Sequence, residues 1–289
     1  MRFDHVALTV QKWGSTGVCL LAFNSSAQQT EGINAELLKT LVSVERVTGT
    51  NATNGKLNAE PIGSAFLVNT PSNHVLLVTA KHVIAGPDGS LKPNLAYRIN
   101  NRSTNSDLTP ESHMKQHAGD WFFSTNADVA CRFIVFGDPD VKGFPLTSFL
   151  PQRVIRPGAP VLVIGFPLGL RSETYAVPVV RRGIVARADE SGSLLDAFSF
   201  PGNSGGPVVY SSSFQQIPIT RGGLISGDAL LGLISGSITF TDVAVSQQTQ
   251  KPRVSFEENT GLSYIVPAET ILTLLLREDV RKYEQARWP

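Results

Sequence analysis

Three short segments carry side chains whose types and order could perform acyl transfer. The first is Phe200-Pro-Gly-Asn-Ser-Gly-Gly-Pro207, in which Ser204 sits among glycines. A serine on such a turn can expose its hydroxyl while neighbouring backbone N–H groups converge on one point. Taken alone, a Gly-rich turn of this kind is as readily a flexible loop. The second segment, Leu76-Leu-Val-Thr-Ala-Lys-His-Val83, is an apolar run that ends at His82; the third, Asn126-Ala-Asp-Val-Ala130, opens another apolar run with Asp128. A serine hydroxyl is a weak nucleophile until a base takes its proton, and imidazole suits that work near neutrality. A carboxylate accepting from the other imidazole nitrogen fixes the tautomer and stabilises the imidazolium as it forms. His82 and Asp128 fit those two parts. His5, His74, His113 and His117 lie in no comparable context. His113 and His117 have the spacing of a helical metal pair, but no third ligand lies nearby, so no metal and no cofactor is expected. Asp107, Asp120 and Asp138 are the other acids to weigh, and Asp120, just before Trp-Phe-Phe, stays open as a competitor.

The elements that must position these groups read as many short strands. Strand-like runs cover 41–47, 63–69, 75–79, 95–100 and 129–136 in the first half, then 161–165, 177–185, 206–210, 223–226, 230–238 and 262–266. Such spacing argues for barrels or sandwiches, whereas strand–helix alternation would argue for a parallel sheet. The segment 100–121 reads as polar and irregular, and 33–40 as a short helix or turn. Pro139, Pro145, Pro151 and Pro157 mark 138–158 as a connection between two halves. From 268 to 287 the period changes: Ile271, Leu272, Leu275 and Leu276 form one stripe, and basic residues gather towards the end, as in a helix. The expected division is an N-terminal extension over 1–40, a first barrel over 41–150 with His82 and Asp128, and a second over 151–289 with Ser204 and the helix. Within 1–30, two strands around a turn at 14–17 are expected.

Composition narrows the rest. Hydrophobic residues make up 42% and charged ones 17%, and 25 Gly with 18 Pro supply the turns of a β-rich chain. A balance of 25 Lys+Arg against 24 Asp+Glu gives a net charge of +1, too weak a field for phosphate backbones, so no nucleic acid partner is expected. Two cysteines, Cys19 and Cys131, exclude a multi-bridge framework; reduced thiols are expected, with Cys131 a packing residue. The first residues form a poor signal peptide, and no run approaches the ~18 apolar residues of a membrane span. A soluble, intracellular (cytoplasmic) protein with no membrane partner is the expectation.

Together the three segments resemble the His, Asp and Ser motifs of trypsin-like serine proteases, in that family's chain order. Gly63-Ser-Ala-Phe-Leu-Val68, Val163-Ile-Gly-Phe-Pro-Leu-Gly169, Asp196-Ala197 and Gly261-Leu-Ser-Tyr-Ile-Val-Pro267 resemble the HtrA branch of that class. The resemblance spans roughly residues 40–285, leaves out 1–30, and includes no C-terminal PDZ module. It implies an all-β fold of two six-stranded antiparallel barrels with a C-terminal helix. It also implies an endopeptidase acting on protein or peptide substrates through an acyl-enzyme at Ser204. The oxyanion hole would be formed by the N–H groups of Gly202 and Ser204, with Asn203 lining it. The base of the primary pocket, six positions before the serine, would be Phe198. With no acid there, a buried substrate Lys or Arg would lack a partner, so cleavage after uncharged residues is expected. Asp196, offset by two positions, should point elsewhere. The repeated Gly-Leu-Ile-Ser-Gly at 223–227 and 232–236 leaves open which copy lines the pocket. The longer run around the second copy favours Ser235, Gly236 and Ser237 as the edge that pairs with substrate backbone. The alternative function is a protease-fold protein that binds peptides without cutting them.

Overall fold

The computed structural model describes residues 33–288, apart from 136, 173–174, 190–191, 211–217, 220–222 and 225–227. The strands expected within 1–30, and Cys19, therefore lie outside the described residues. Helix α1 (Ala35–Leu38), with the Asn34 side chain accepting from Glu36 N–H, leads into the first sheet. Its strands are β1 (Leu41–Thr50), β2 (Leu57–Asn69), β3 (Val75–Thr79), β4 (Leu95–Asn101), β5 (Asn105–Pro110), β6 (Phe122–Phe123), β7 (Ala130–Ile134) and β8 (Phe144–Pro145). They run in the order β5-β4-β1-β2-β3-β7-β6, with β8 parallel to the end of β2. The one-turn helix α2 (Lys81–Ile84) follows β3, and α3 (Glu111–Ala118) follows β5.

The second half contributes β9 (Pro160–Gly165), β10 (Val179–Asp189), β11 (Gly192–Asp196) and β12 (Pro207–Tyr210). After a separate pair, β13 (Pro218–Ile219) and β14 (Gly223–Leu224), come β15 (Ala229–Val245) and β16 (Pro252–Pro267). Six of them close a barrel, β10-β11-β16-β15-β12-β9. The expected all-β class holds. The first sheet differs from the expected six-stranded barrel in having seven strands along an unclosed path with β8 added beside β2; β5, β6 and β8 were not legible as strands.

Strand periodicity explains where the core sits. Along β9, Val161 and Val163 point into the closed barrel, while Leu162 and Ile164 join the core built by the first sheet. In β12, Val208 goes inward and Val209 outward; in β15, Leu231 goes inward while Leu230 and Leu233 face the shared core. Strands buried on both faces show continuous apolar runs instead of alternation. The wall β9-β12-β15 is thus the seam against which the first sheet packs.

Two expectations fail. The segment 100–121 is not irregular, because it holds β5, α3 and the entry to β6. Its polar α3 is fixed by Glu111, whose carboxylate accepts from Arg132 Nη1 at 2.8 Å and from Tyr97 Oη. Arg132 is fully buried in β7, donates to Gly119 O at 2.6 Å and lies 5.3 Å over the Trp121 ring. The single helix expected over 268–287 is two, α4 (Ala268–Leu275) and α5 (Glu278–Arg287). Arg277 breaks it with extended backbone (φ −60, ψ 142), held by Asp279 at 2.6 Å and by Phe123 O at 2.8 Å. No helix among the described residues is long and apolar enough to cross a membrane.

Removing one partner of a buried ion pair strands the other charge. Glu111→Ala should therefore cost about 3–5 kcal/mol in urea unfolding, and the double variant Glu111→Leu/Arg132→Met should recover most of that loss. A single-variant cost below about 1 kcal/mol would mean that Arg132 finds another partner or reaches water.

Candidate active site

Register brings the histidine and the acid together. Strands β3 and β7 are antiparallel with Thr79 opposite Ala130, so the residue two before Ala130 lies beside the residues that follow Thr79. That residue is Asp128, and the chain after Thr79 turns into α2, where Val83 and Ile84 are buried and His82 is carried outward. Gly63 of β2 permits this packing, because a Cβ there would stand 2.4 Å from Val83 Cγ1. His82 Nδ1 lies 2.6 Å from Asp128 Oδ2, and His82 N–H donates to Asp128 Oδ1 at 2.9 Å. The imidazole is about half exposed, at 49%.

Asp128 has a third partner, the Ser235 hydroxyl, which donates to Oδ2 at 2.7 Å. In the β15–β16 ladder Ile234 pairs with Ile265 and Gly236 with Tyr264, which leaves Ser235 as the extra residue of a bulge. A bulge re-aims the side chain it carries, and here the hydroxyl turns to the carboxylate. Partial burial pushes the Asp128 carboxyl up, but hydrogen bonds from the His82 side chain, the His82 N–H and Ser235 outweigh it and hold the group below its ordinary value. Asp128 is an anion at neutral pH.

The serine turn is held from the first sheet. Ser204 O accepts from Ser64 N–H at 2.9 Å, and Ser64 Oγ donates to Gly202 O at 2.6 Å while accepting from Phe166 N–H at 3.0 Å. Gly205 N–H donates to Ile234 O at 2.8 Å. Gly205 has φ +82, and a Cβ there would stand 2.1 Å from Ser64 O and 2.3 Å from Thr79 Oγ1. Only glycine meets both demands. This approach sets Ser204 beside the Thr79–His82 corner. With the described residues the Ser204 hydroxyl makes no hydrogen bond; such contacts are often loose without substrate and tighten in the complex.

Gly202 N–H and Ser204 N–H likewise have no acceptor among the described residues. Their orientation is fixed indirectly. Pro201 O accepts from Leu168 N–H at 2.7 Å, and in a planar trans peptide the Gly202 N–H then points the opposite way. Gly202 has φ +99, and a Cβ would stand 2.2 Å from Phe166 O. Leu168 itself has φ +53, in a 3-10 turn over Pro167–Gly169. Just beyond, Arg171 Nε donates at 3.0 Å to Glu45, a fully buried carboxylate in β1 that Arg98 also engages at 2.8 and 2.9 Å.

The remaining expected residues fall as follows. Asn203 is fully buried, with Oδ1 accepting from Phe200 N–H at 3.0 Å, so its side chain braces the turn. Phe198 is 48% exposed, next to Gly261 and stacked on Phe200, and so is not at the bottom of an enclosed pocket. The inward positions are Ala197 and Ser199; Ser199 Oγ lies 2.7 Å from Ser263 Oγ, and both serines are buried. The 232–236 copy of Gly-Leu-Ile-Ser-Gly lies in β15 beside Asp128. Of the other copy only Gly223–Leu224 is described, in the separate β14. Gly236 is half-buried and Ser237 exposed on the edge that continues from Ser235. Asp120 pairs with Lys115 at 3.0 Å on the surface, and Asp196 is exposed. Cys131 is a free, buried thiol whose pKa burial pushes far up, as packing requires. Sequence reasoning missed Ser64, Glu45, Leu168 and Arg171. Ser64 and Leu168 stood inside quoted motifs, and nothing in composition or spacing marks Glu45 or Arg171.

A serine turn on one β-unit facing a histidine–aspartate corner on another is the layout of a double-sheet serine protease. Residues 63–214 match the trypsin-like peptidase domain, and the chain belongs to that family. The matched span contains His82, Asp128 and Ser204. No curated protein sequence matches the chain.

A carboxyl whose folded-state pKa is depressed adds stability above its unfolded value of ~3.9, and that stability is lost as pH falls through the folded value. Wild type should accordingly exceed Asp128→Asn in thermal midpoint near pH 6, with the gap closing below about pH 4. A gap that stays constant from pH 7 to pH 3 would show that the carboxylate pairing is not its source.

Proposed function

We propose that the protein is a serine endopeptidase that cleaves polypeptides through an acyl-enzyme on Ser204. The observation that carries this reading is the Asp128 carboxylate, which holds His82 at both Nδ1 and the backbone N–H and leaves Nε2 directed away from the acid. In this scheme His82 Nε2 takes the Ser204 proton as the hydroxyl attacks the scissile carbonyl. Asp128, ionised and hydrogen-bonded, stabilises the imidazolium. The carbonyl oxygen, now negative, receives the free N–H groups of Gly202 and Ser204, and each such donor is worth on the order of 10²–10³ in rate. The imidazolium returns its proton to the leaving amine, and a water activated by His82 then releases the acyl group. Asn203 acts by bracing the turn that presents the two N–H groups.

The substrate is an extended chain that adds to the edge at Ser235, Gly236 and Ser237, with main-chain hydrogen bonds holding the residues before the cut. Next to the turn, Ser199 and Ser263 are buried and bonded to each other, and neither they nor Ala197 brings an acid to the site, so an uncharged residue before the cut is favoured and a lysine or arginine is not.

A fluorophosphonate probe should label the wild type at Ser204, fail on Ser204→Ala and label His82→Ala at least ~10³-fold more slowly, with all three unfolding cooperatively. A folded wild type that the probe ignores would favour a peptide-binding protein without catalysis. A proteome-derived peptide library should be cut mainly after Ala, Val or Leu; hydrophobic contacts discriminate by only ~1–3 kcal/mol per methylene, so the profile should be broad. Dominance of Lys or Arg before the cut would overturn the specificity reading and point to an acid entering the site.

A further inference from the structure

Strands β15 and β16 extend far past the barrel they help to close. Their pairing continues through Thr239↔Asn259, Phe240↔Glu258, Asp242↔Phe256 and Ala244↔Val254 to Val245↔Pro252. Every residue from Thr239 to Val245 is exposed, as is every residue from Pro252 to Glu258, so this arm contributes nothing to either core. It nonetheless carries Phe240, Val243, Val245, Val254 and Phe256 at 59, 44, 55, 51 and 54% exposure. A two-stranded ribbon with apolar groups on both faces is marginal in water without a partner.

The two edges of the arm differ. The β16 side begins Lys251-Pro252-Arg253 and carries Glu257 and Glu258, the residue types that blunt an edge against pairing. The β15 side, Ser235-Gly-Ser-Ile-Thr-Phe-Thr-Asp-Val-Ala-Val245, has no proline and no lysine, and is rich in strand formers. Strand β12 pairs with β15 only as far as Leu233, and the serine turn takes the next position, through Gly205 N–H to Ile234 O and Ile234 N–H to Gly206 O. From Ser235 onward the edge opposite β16 has no strand partner among the described residues. It therefore starts beside Ser204 and runs on for about 35 Å at the ~3.3 Å rise of a strand.

Resting on the peptidase reading above, we propose that this arm is an extended binding edge for the acyl-side part of the substrate. A chain whose scissile carbonyl sits at Ser204 and whose preceding residues pair with Ser235–Ser237 can continue pairing along Ile238–Val245. It must be unfolded over some eight or more residues before the cut, and its side chains meet Phe240 on one face and Val243 and Val245 on the other. The substrate class is thus an extended, apolar, strand-forming polypeptide stretch, not a short peptide or an exposed loop of a folded protein. The bulges between Ser237 and Thr239 and between Ala244 and Val245 set the twist that such a chain follows.

The test compares chromogenic peptides that share the residues next to the cut and carry three or eight apolar residues before it. It uses wild type and an arm-trimmed variant in which 240–258 is replaced by Asn-Gly. Lengthening the peptide should raise kcat/KM at least tenfold in wild type and leave the trimmed protein unchanged, with equal rates for the short peptide. N-methylation of the backbone amides from the fourth residue onward should remove the gain in wild type, a readout that does not depend on the trimmed variant folding. Affinities of the same peptides, fluorescently labelled, for Ser204→Ala separate the two claims. Absent turnover with length-dependent affinity would sink the peptidase reading and keep the arm. Affinity or turnover independent of length would overturn the arm, as would a wild-type dimer that trimming dissolves while peptide length has no effect.

Discussion

The position of Ser204 relative to His82 depends on Ser64. Each β-unit can bury its own apolar side chains, and the shared core along β9, β12 and β15 is non-directional, so hydrophobic packing alone would tolerate small slides between them. Ser64 removes that freedom. Its N–H takes Ser204 O, its Oγ takes Gly202 O, its carbonyl accepts from Thr79 Oγ1 at 2.7 Å, and Phe166 N–H donates back to it. Ser64 is fully buried, and leaving any one of these groups unpaired would cost about 1–3 kcal/mol. One residue of the first sheet therefore fixes both the serine turn and the strand end that leads to His82.

A charged link runs parallel to this neutral one. Glu45 is a fully buried carboxylate that is tolerable because Arg98 and Arg171 satisfy both of its oxygens. Exchanging such a cluster for apolar residues often leaves stability intact, so its value here is better sought in what it positions. Arg171 ends the loop in which Leu168 sits at φ +53, a conformation costing a residue with a Cβ about 1–2 kcal/mol. In return the Leu168 N–H meets Pro201 O and turns the next peptide so that Gly202 N–H faces outward. Backbone strain at one loop residue thus sets the direction of a donor on another, and the loop is anchored in the opposite sheet.

How much of this the sequence revealed depended on whether a feature is local. Ser204, His82 and Asp128 were readable because each stands where an apolar run meets a turn, and β3, β9 and β12 were readable because burial on both faces made their runs continuous. The helix α3 was not, since its ordering force is the ion pair between Glu111 and Arg132, far apart in the chain. The arm of β15 and β16 was missed for a different reason: Ile238-Thr-Phe240-Thr and Val254-Ser-Phe256-Glu alternate as strands do, but both faces of the arm are exposed, so no core-facing stripe fixes how far the strands run. Ser235 was expected on the edge by its place in a strand, but its hydrogen bond to Asp128 requires a bulge, and no single strand encodes a bulge without its partner. Phe198 was placed by analogy with a distance from the serine; the alternation Phe198-Ser199-Phe200 would likewise turn the ring inward, whereas the buried positions are Ala197 and Ser199.

The same bonding that builds the seam also separates structural from reactive groups. Polar groups around the turn are mostly saturated: Asp128 accepts three times, Ser64 is saturated, and Asn203 Oδ1 is taken by Phe200 N–H, whereas the buried Asn203 Nδ2 has no partner among the described residues. The Ser204 hydroxyl and the N–H groups of Gly202 and Ser204 stand among them without partners from the described residues. Unpaired donors inside a protein are costly unless water or a ligand completes them. These lie where the half-exposed imidazole of His82 also opens to solvent, so their unmet bonding capacity converges on one accessible spot. In the proposed reaction a carbonyl carbon bound there meets Ser204 on one side and two donors at its oxygen, and the rigidity of the surrounding hydrogen bonds leaves little reorganisation when charge develops.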